Sequence, residues 1–276
     1  MSLLTFDFES LSLNGNTQVS LILPEISHGE SPKTFYTEKK KYPVLWLLHG
    51  TFGDHTDWIR NTNIELYAKE RNLIVVMPSA LNSNYSNWND CMLGYKMYDF
   101  LTEELMPLVH NWFPASSHRE DNYIAGLSMG GRGAIKYAVN HPELFGGAAI
   151  LSAAPVDFSQ MREGHPNPFL DPCNPRTSRS ITNAGGLDSY IHSEENVWAI
   201  IDEKSSQNIL PKLFFACGES DQLIYNAYRN FLAHCEEIGL HIECFSLPGY
   251  AHEWRFWDLA IQKALDCFQL TPVKHD

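Results

Sequence analysis

Ser128 stands alone among glycines. The stretch NYIAGLSMGGRGAIKY, residues 122–137, surrounds it with Gly126, Gly130, Gly131 and Gly133. Glycine inside regular structure costs about 0.5–1 kcal/mol relative to alanine, so this density needs a steric reason. Gly126-Leu127-Ser128-Met129-Gly130 fits G-x-S-x-G, with the apolar run Tyr123 to Ala125 before it and a helical pattern after it. That setting describes a sharp strand-to-helix turn that lifts a strained serine above a sheet. Side chains two residues to either side would collide with neighbouring elements. The chemistry is nucleophilic attack on an acyl carbon. The Met129 N–H, at the helix N-terminus, would then face the developing oxyanion.

A serine hydroxyl needs a base, and the base needs an orienting acid. In strand–turn–helix sites of this kind the chain order is serine, then acid, then histidine. KLFFACGESD ends an apolar run at Asp221, and IECFSLPGYAHEW places His252 just after the last apolar run. These two are the candidate acid and base. Glu219 is a weaker acid candidate. A competing role for Asp221 is to cap the helix that follows it, and His275 lies in a terminal segment expected to fray. A second oxyanion donor is expected after an early strand, at LLHGT, where Gly50 permits close approach; Thr51 N–H is the choice, with Phe52 as its neighbour. His49 reads as structural. Phe52, Trp58 and Trp88 are candidate substrate contacts, although Trp58, Trp254 and Trp257 read first as core aromatics. Asp54, His55 and Asp57 cluster in sequence, but so short a cluster reads as a solvated loop, and no metal site is expected. No G-x-G-x-x-G or P-loop pattern occurs, so no cofactor is expected.

The elements that must position these residues follow from periodicity. LLTFDFESLSL and TQVSLILPE alternate apolar and polar residues and read as antiparallel strands, with Asn14-Gly15 at the turn. YPVLWLLHG, LIVVMPS, DNYIAGLS, GGAAILSAA, KLFFACGES and IECFSLPG are nearly continuous apolar runs, as in strands buried on both faces of a parallel sheet. Helical patterns span about Thr62 to Arg71, Tyr95 to Trp112 with a kink or break at Pro107, the segment after Ser128, Leu223 to Ile238, and Glu253 to Phe268. The expected fold is α/β: a mostly parallel central sheet, antiparallel N-terminal strands and helices on both faces. Val156 to Ser206 is polar and proline-containing with weak periodicity. It is expected to be a cap or binding-loop insertion in a single domain spanning 1–276.

The 276 residues carry 20 Lys and Arg against 33 Asp and Glu, a net charge of −13. That balance argues against broad nucleic-acid binding and against adhesion to anionic membranes. No apolar run approaches the length of a membrane span, and the N-terminus shows no secretory pattern. The six cysteines form no C-x-x-C pair and read as free thiols in a reducing compartment, hence the cytoplasm. Nothing in the sequence decides between a monomer and a homo-oligomer.

LWLLHGTFGDHTDWIRNTNIE, the MPS after the next strand, IAGLSMGGRGAIKYA, FFACGESD and GYAHEW occur in that order. Together they resemble the tributyrin-esterase branch of the esterase D family, within the α/β-hydrolase superfamily. The resemblance covers nearly the whole chain. It implies an α/β-hydrolase fold and a serine carboxylesterase acting on short-chain acyl esters through Ser128, His252 and Asp221, with backbone donors near Thr51 and at Met129. It also implies small-molecule esters as partners. S-formylglutathione hydrolases and feruloyl and acetylxylan esterases share part of the pattern. The former usually carry histidine where this chain has Leu127, which weighs against a glutathione thioester. A non-catalytic hydrolase fold used for binding would be expected to have lost one of the three residues, and all three are present.

Overall fold

Five-residue stretches in which every side chain is buried, such as Val44–Leu48 and Ile74–Pro78, can only sit in the middle of a layered structure. The computed structural model, which describes residues 2–26, 29–91 and 93–272, puts them there. The sheet has eight strands: β1 (Ser2–Ser10), β2 (Gly15–Leu23), β3 (Val44–Leu48), β4 (Ile74–Pro78), β5 (Asn122–Leu127), β6 (Gly147–Leu151), β7 (Lys212–Gly218) and β8 (Glu243–Leu247). Their spatial order is β1-β2-β4-β3-β5-β6-β7-β8. The β1–β2 and β2–β4 pairs are antiparallel, and every pair from β4 through β8 is parallel. The α/β expectation therefore holds, including its antiparallel N-terminal strands. Asn14 adopts a left-handed φ of 51° in the connection that closes the Ser10–Gly15 pairing.

Alternation in β3 sorts two cores. Val44, Trp46 and Leu48 face one cluster, built with α3 (Met129–Asn140) and α5 (Tyr225–Glu237). Leu45 and Leu47 face the other, built with α1 (Ile64–Glu70) and α6 (Trp254–Cys267). Helices thus cover both faces.

Pro107 does not break its helix. Phe100–Leu105 winds as a π-helix and passes directly into α2 (Met106–Trp112), with Pro107 in the first turn. The wider π turn ahead of it, in which the Met106 N–H reaches back to the Leu101 carbonyl, accommodates a residue that cannot donate.

Segment 156–206 contains two 3₁₀ turns, the helices Pro175–Asn183 and Leu187–Ile191, and α4 (Val197–Ser205). Phe158, Leu170 and Tyr190 form a small core of their own, whereas Val197 and Ile201 of α4 join the main one. α4 lies between β6 and β7, on the connection that joins these parallel strands. Among the described residues, no helix is long and apolar enough to cross a membrane.

Candidate active site

β5 delivers Ser128 to the C-terminal edge of the sheet. The serine holds φ 51°, ψ −114°, a strained conformation for a residue with a side chain. Its N–H donates to the Leu151 carbonyl at the end of β6, 2.8 Å away, which holds the turn shut. A side chain at Gly126 would strike the Gly130 carbonyl, and one at Gly130 would strike the carbonyls of Leu48 and His49. That is the steric reason the glycine density required. Ser128 Oγ makes no hydrogen bond among the described residues, and α3 opens at Met129, whose N–H therefore lacks an intrahelical acceptor.

β7 and β8 deliver the other two residues to the same edge. The Tyr250 carbonyl lies where a side chain on Gly218 would project, so only glycine lets the loop after β8 come this close. Ser220 N–H donates to that carbonyl at 2.9 Å. His252 Nδ1–H then donates to Asp221 Oδ2 at 2.7 Å. Asp221 is 1% exposed, and its other oxygen, Oδ1, accepts from the Leu223 and Ile224 N–H groups at 3.0 and 3.1 Å. Capping and orienting, the two roles weighed for Asp221, thus fall to different oxygens of one carboxylate. Burial pushes its pKa up, but the bond and charge of His252 and the two N–H donors outweigh it and hold the carboxyl below its ordinary range. Glu219 turns away and accepts from Ser246 Oγ at 3.1 Å. The His252 ring meets Trp257 edge-on, 5.0 Å between centroids, and Trp257 Nε1–H is fixed on Ser152 Oγ at 2.9 Å.

The LLHGT loop lies against the serine: a side-chain carbon on Gly50 would sit 3.7 Å from Ser128 Cβ. His49 is buried. Its Nε2 accepts from Ala80 N–H at 2.9 Å, so its Nδ1–H donates to the Gly50 carbonyl at 2.7 Å. Burial lowers its pKa, in keeping with a neutral ring. The Gly50–Thr51 peptide is trans, so Thr51 N–H points opposite to that anchored carbonyl. The Phe52 N–H is already taken by Asn82 Oδ1 at 2.8 Å, which leaves Thr51 as the free donor of the pair.

The three aromatic candidates part company. Phe52 is 85% exposed on this loop. Trp58 is only 1% exposed, with its N–H on the Leu48 carbonyl and its ring against Trp254, so it is a core residue and not a substrate contact. The sequence places it near the site but does not reveal which face of its helix it occupies. Trp88 donates to the Ser83 carbonyl and lines a cavity of about 310 Å³ with Asn183, Tyr190 and Glu195; none of Ser128, Asp221 and His252 lines it.

Asp54, His55 and Asp57 do not converge. Asp54 Oδ1 accepts from Thr56 N–H and Oγ1–H, and His55 is held by Ser20 and Gln18. We expect EDTA to leave ester turnover unchanged; activity lost in EDTA and restored by Zn²⁺ or Ca²⁺ would redirect attention to this loop. His275 lies outside the described residues.

The sheet order, with helices on both faces and a strained serine at the carboxyl edge, is that of the α/β-hydrolase fold. Residues 10–265 match the Esterase family. The chain belongs to that family and is a carboxylesterase. It is 27% identical over 269 residues to an acetyl esterase of Caldicellulosiruptor saccharolyticus, covering 96% of this chain and 97% of the relative. Among solved structures, it resembles FphF, a fluorophosphonate-binding serine hydrolase of Staphylococcus aureus, with 30% identity and a TM-score of 0.79 over 97% of this chain and 98% of that one. It also resembles the S-formylglutathione hydrolase FrmB of the same organism, with 28% identity and a TM-score of 0.76 over 97% and 98%.

Proposed function

We propose that Ser128 is the nucleophile, His252 the general base and Asp221 its orienting acid, in an esterase for small, soluble, short-chain acyl esters. The observation that carries this reading is the Asp221–His252 hydrogen bond at the sheet edge where Ser128 stands in its strained turn. Ser128 Oγ attacks the ester carbonyl while its proton passes to His252 Nε2. The Thr51 and Met129 N–H groups take the oxyanion. Collapse expels the alcohol with the proton from Nε2, leaving an acyl-serine that water, activated by the same imidazole, hydrolyses. No cofactor enters this sequence of steps.

The short-chain preference rests on two supports. One relative is named an acetyl esterase. Three large apolar residues of segment 156–206, Phe158, Leu170 and Tyr190, are also packed into a core of their own and are not presented to a lipid surface. We expect kcat/KM on p-nitrophenyl esters to be greatest for acetate and butyrate, to fall steeply for longer chains, and to show no jump when substrate forms droplets. Since each buried methylene contributes about 0.8 kcal/mol, a pocket for long chains would give the reverse trend. Values climbing from butyrate through octanoate to palmitate would sink the short-chain reading. The likeness to FrmB makes S-formylglutathione the thioester to include, and a strong preference for it over p-nitrophenyl acetate would replace the ester reading. A cytoplasmic location is supported by six cysteines that are all unpaired, three of them buried.

A further inference from the structure

One and two turns beyond Ser128 on α3, Arg132 and Lys136 face segment 156–206. Lys136 is 2% exposed at its side chain and fully engaged. Its Nζ donates to the Asn84 carbonyl at 3.0 Å, Ser86 Oγ at 2.8 Å and Glu195 Oε1 at 2.7 Å. Glu195 Oε1 also accepts from Ser86 Oγ. Arg132 is different. It is half-buried, and one side of its guanidinium is covered by the Phe169 ring, 3.9 Å from the centroid. Among the described residues its side chain has neither a hydrogen bond nor an ion pair, while its backbone N–H donates to the Ser128 carbonyl at 3.0 Å. Both cations and Glu195 line one cleft, of about 30 Å³, with Ala154, Pro155 and Phe158. Two cations face one carboxylate there, leaving one positive charge over in a protein of net charge −13. A guanidinium with its donors idle at the edge of a small cleft is a carboxylate receptor, and the cleft has room for about a carboxylate's worth of water.

We propose that Arg132 forms an anion subsite one helical turn from the nucleophile, in a cleft that Ser128 itself does not line, and that the preferred substrates are esters carrying a single carboxylate. This rests on the assignment of Ser128. Four residues of helix rise separate the two positions by about 6 Å along the axis.

The test compares kcat/KM for mono-4-nitrophenyl adipate with that for its methyl ester, and for 4-acetoxybenzoate with its methyl ester, so the charge sits on the acyl side in one pair and on the alcohol side in the other. In the wild type we expect the anion to be favoured by about ten- to a hundredfold in one of the pairs, the range for a hydrogen bond to a charged group. The preference should weaken in 1 M NaCl and collapse toward unity in Arg132→Gln, or in Arg132→Met should the first variant fail to fold. Arg132→Lys should retain part of it. A ratio near unity in both wild-type pairs, or one that Arg132→Gln leaves unaltered, overturns the subsite. Turnover persisting in Ser128→Ala would instead overturn the nucleophile, and the anion-to-neutral ratio of the Arg132 variants would still report on the subsite.

Discussion

Ser128→Ala should lower ester turnover by about 10⁴-fold or more while the protein melts within a degree or two of the parent. The kinetic size follows from losing the covalent step, after which only oxyanion stabilisation and binding remain. The small effect on stability follows from the structure. Ser128 Oγ makes no hydrogen bond among the described residues, so its removal orphans no partner. Alanine carries the same Cβ into the same strained φ of 51°. Labelling by a fluorophosphonate probe should vanish with the activity. A variant keeping a tenth of parental activity would rule out Ser128 as nucleophile, and a wild type that neither labels nor turns over esters would point to a hydrolase fold used only for binding.

Asp221→Asn separates the two jobs of one carboxylate. Asparagine keeps an oxygen to accept from Leu223 and Ile224, so the turn before α5 stays capped. The atom facing His252 Nδ1 becomes an amide N–H, which favours the wrong imidazole tautomer. We expect kcat to fall by about 10³–10⁴-fold with little change in melting temperature. Asp221→Ala should lose the rate and, with the cap gone, about 1 kcal/mol of stability as well. A modest kinetic change in Asp221→Asn would reduce Asp221 to a cap. The sign of the pKa shift adds a check. A carboxyl held below its unfolded value stabilises the protein above that value, and the contribution is lost as pH falls through the lower, folded one. Acid sensitivity of folding should therefore be blunted in the asparagine variant.

The sheet was the most legible part of the molecule, because strands buried on both faces have little choice but to be continuous apolar runs. The serine turn was equally plain, since its glycines are forced by backbone atoms two residues away. The contact between Asp221 and His252 follows from chain order once two neighbouring parallel strands are recognised. Illegibility had specific causes. Segment 156–206 folds around Phe158, Leu170 and Tyr190, which are too far apart to set up a period. The turn chemistry that lets a helix run through Pro107 is a π segment without a sequence signature. Trp58, read first as a core aromatic, is one; it also stood as a candidate substrate contact because the helix that carries it, Asp57–Asn61, is too short to reveal a face. The pairing of Lys136 with Glu195 joins residues 59 apart and leaves no local mark.

That pairing also restricts how this chain can exchange parts with its relatives. A surface insertion is ordinarily modular: it can be lengthened, shortened or swapped with little consequence for the scaffold beneath. Here the helix that begins at the serine carries a buried ammonium whose counter-charge, Glu195, belongs to segment 156–206. Grafting in a relative's segment without a carboxylate at that point would strand Lys136, at a cost of about 3–5 kcal/mol, a large share of a domain's whole stability. Segment 156–206 can therefore be exchanged in this chain only in ways that keep Glu195 or replace Lys136 in the same step.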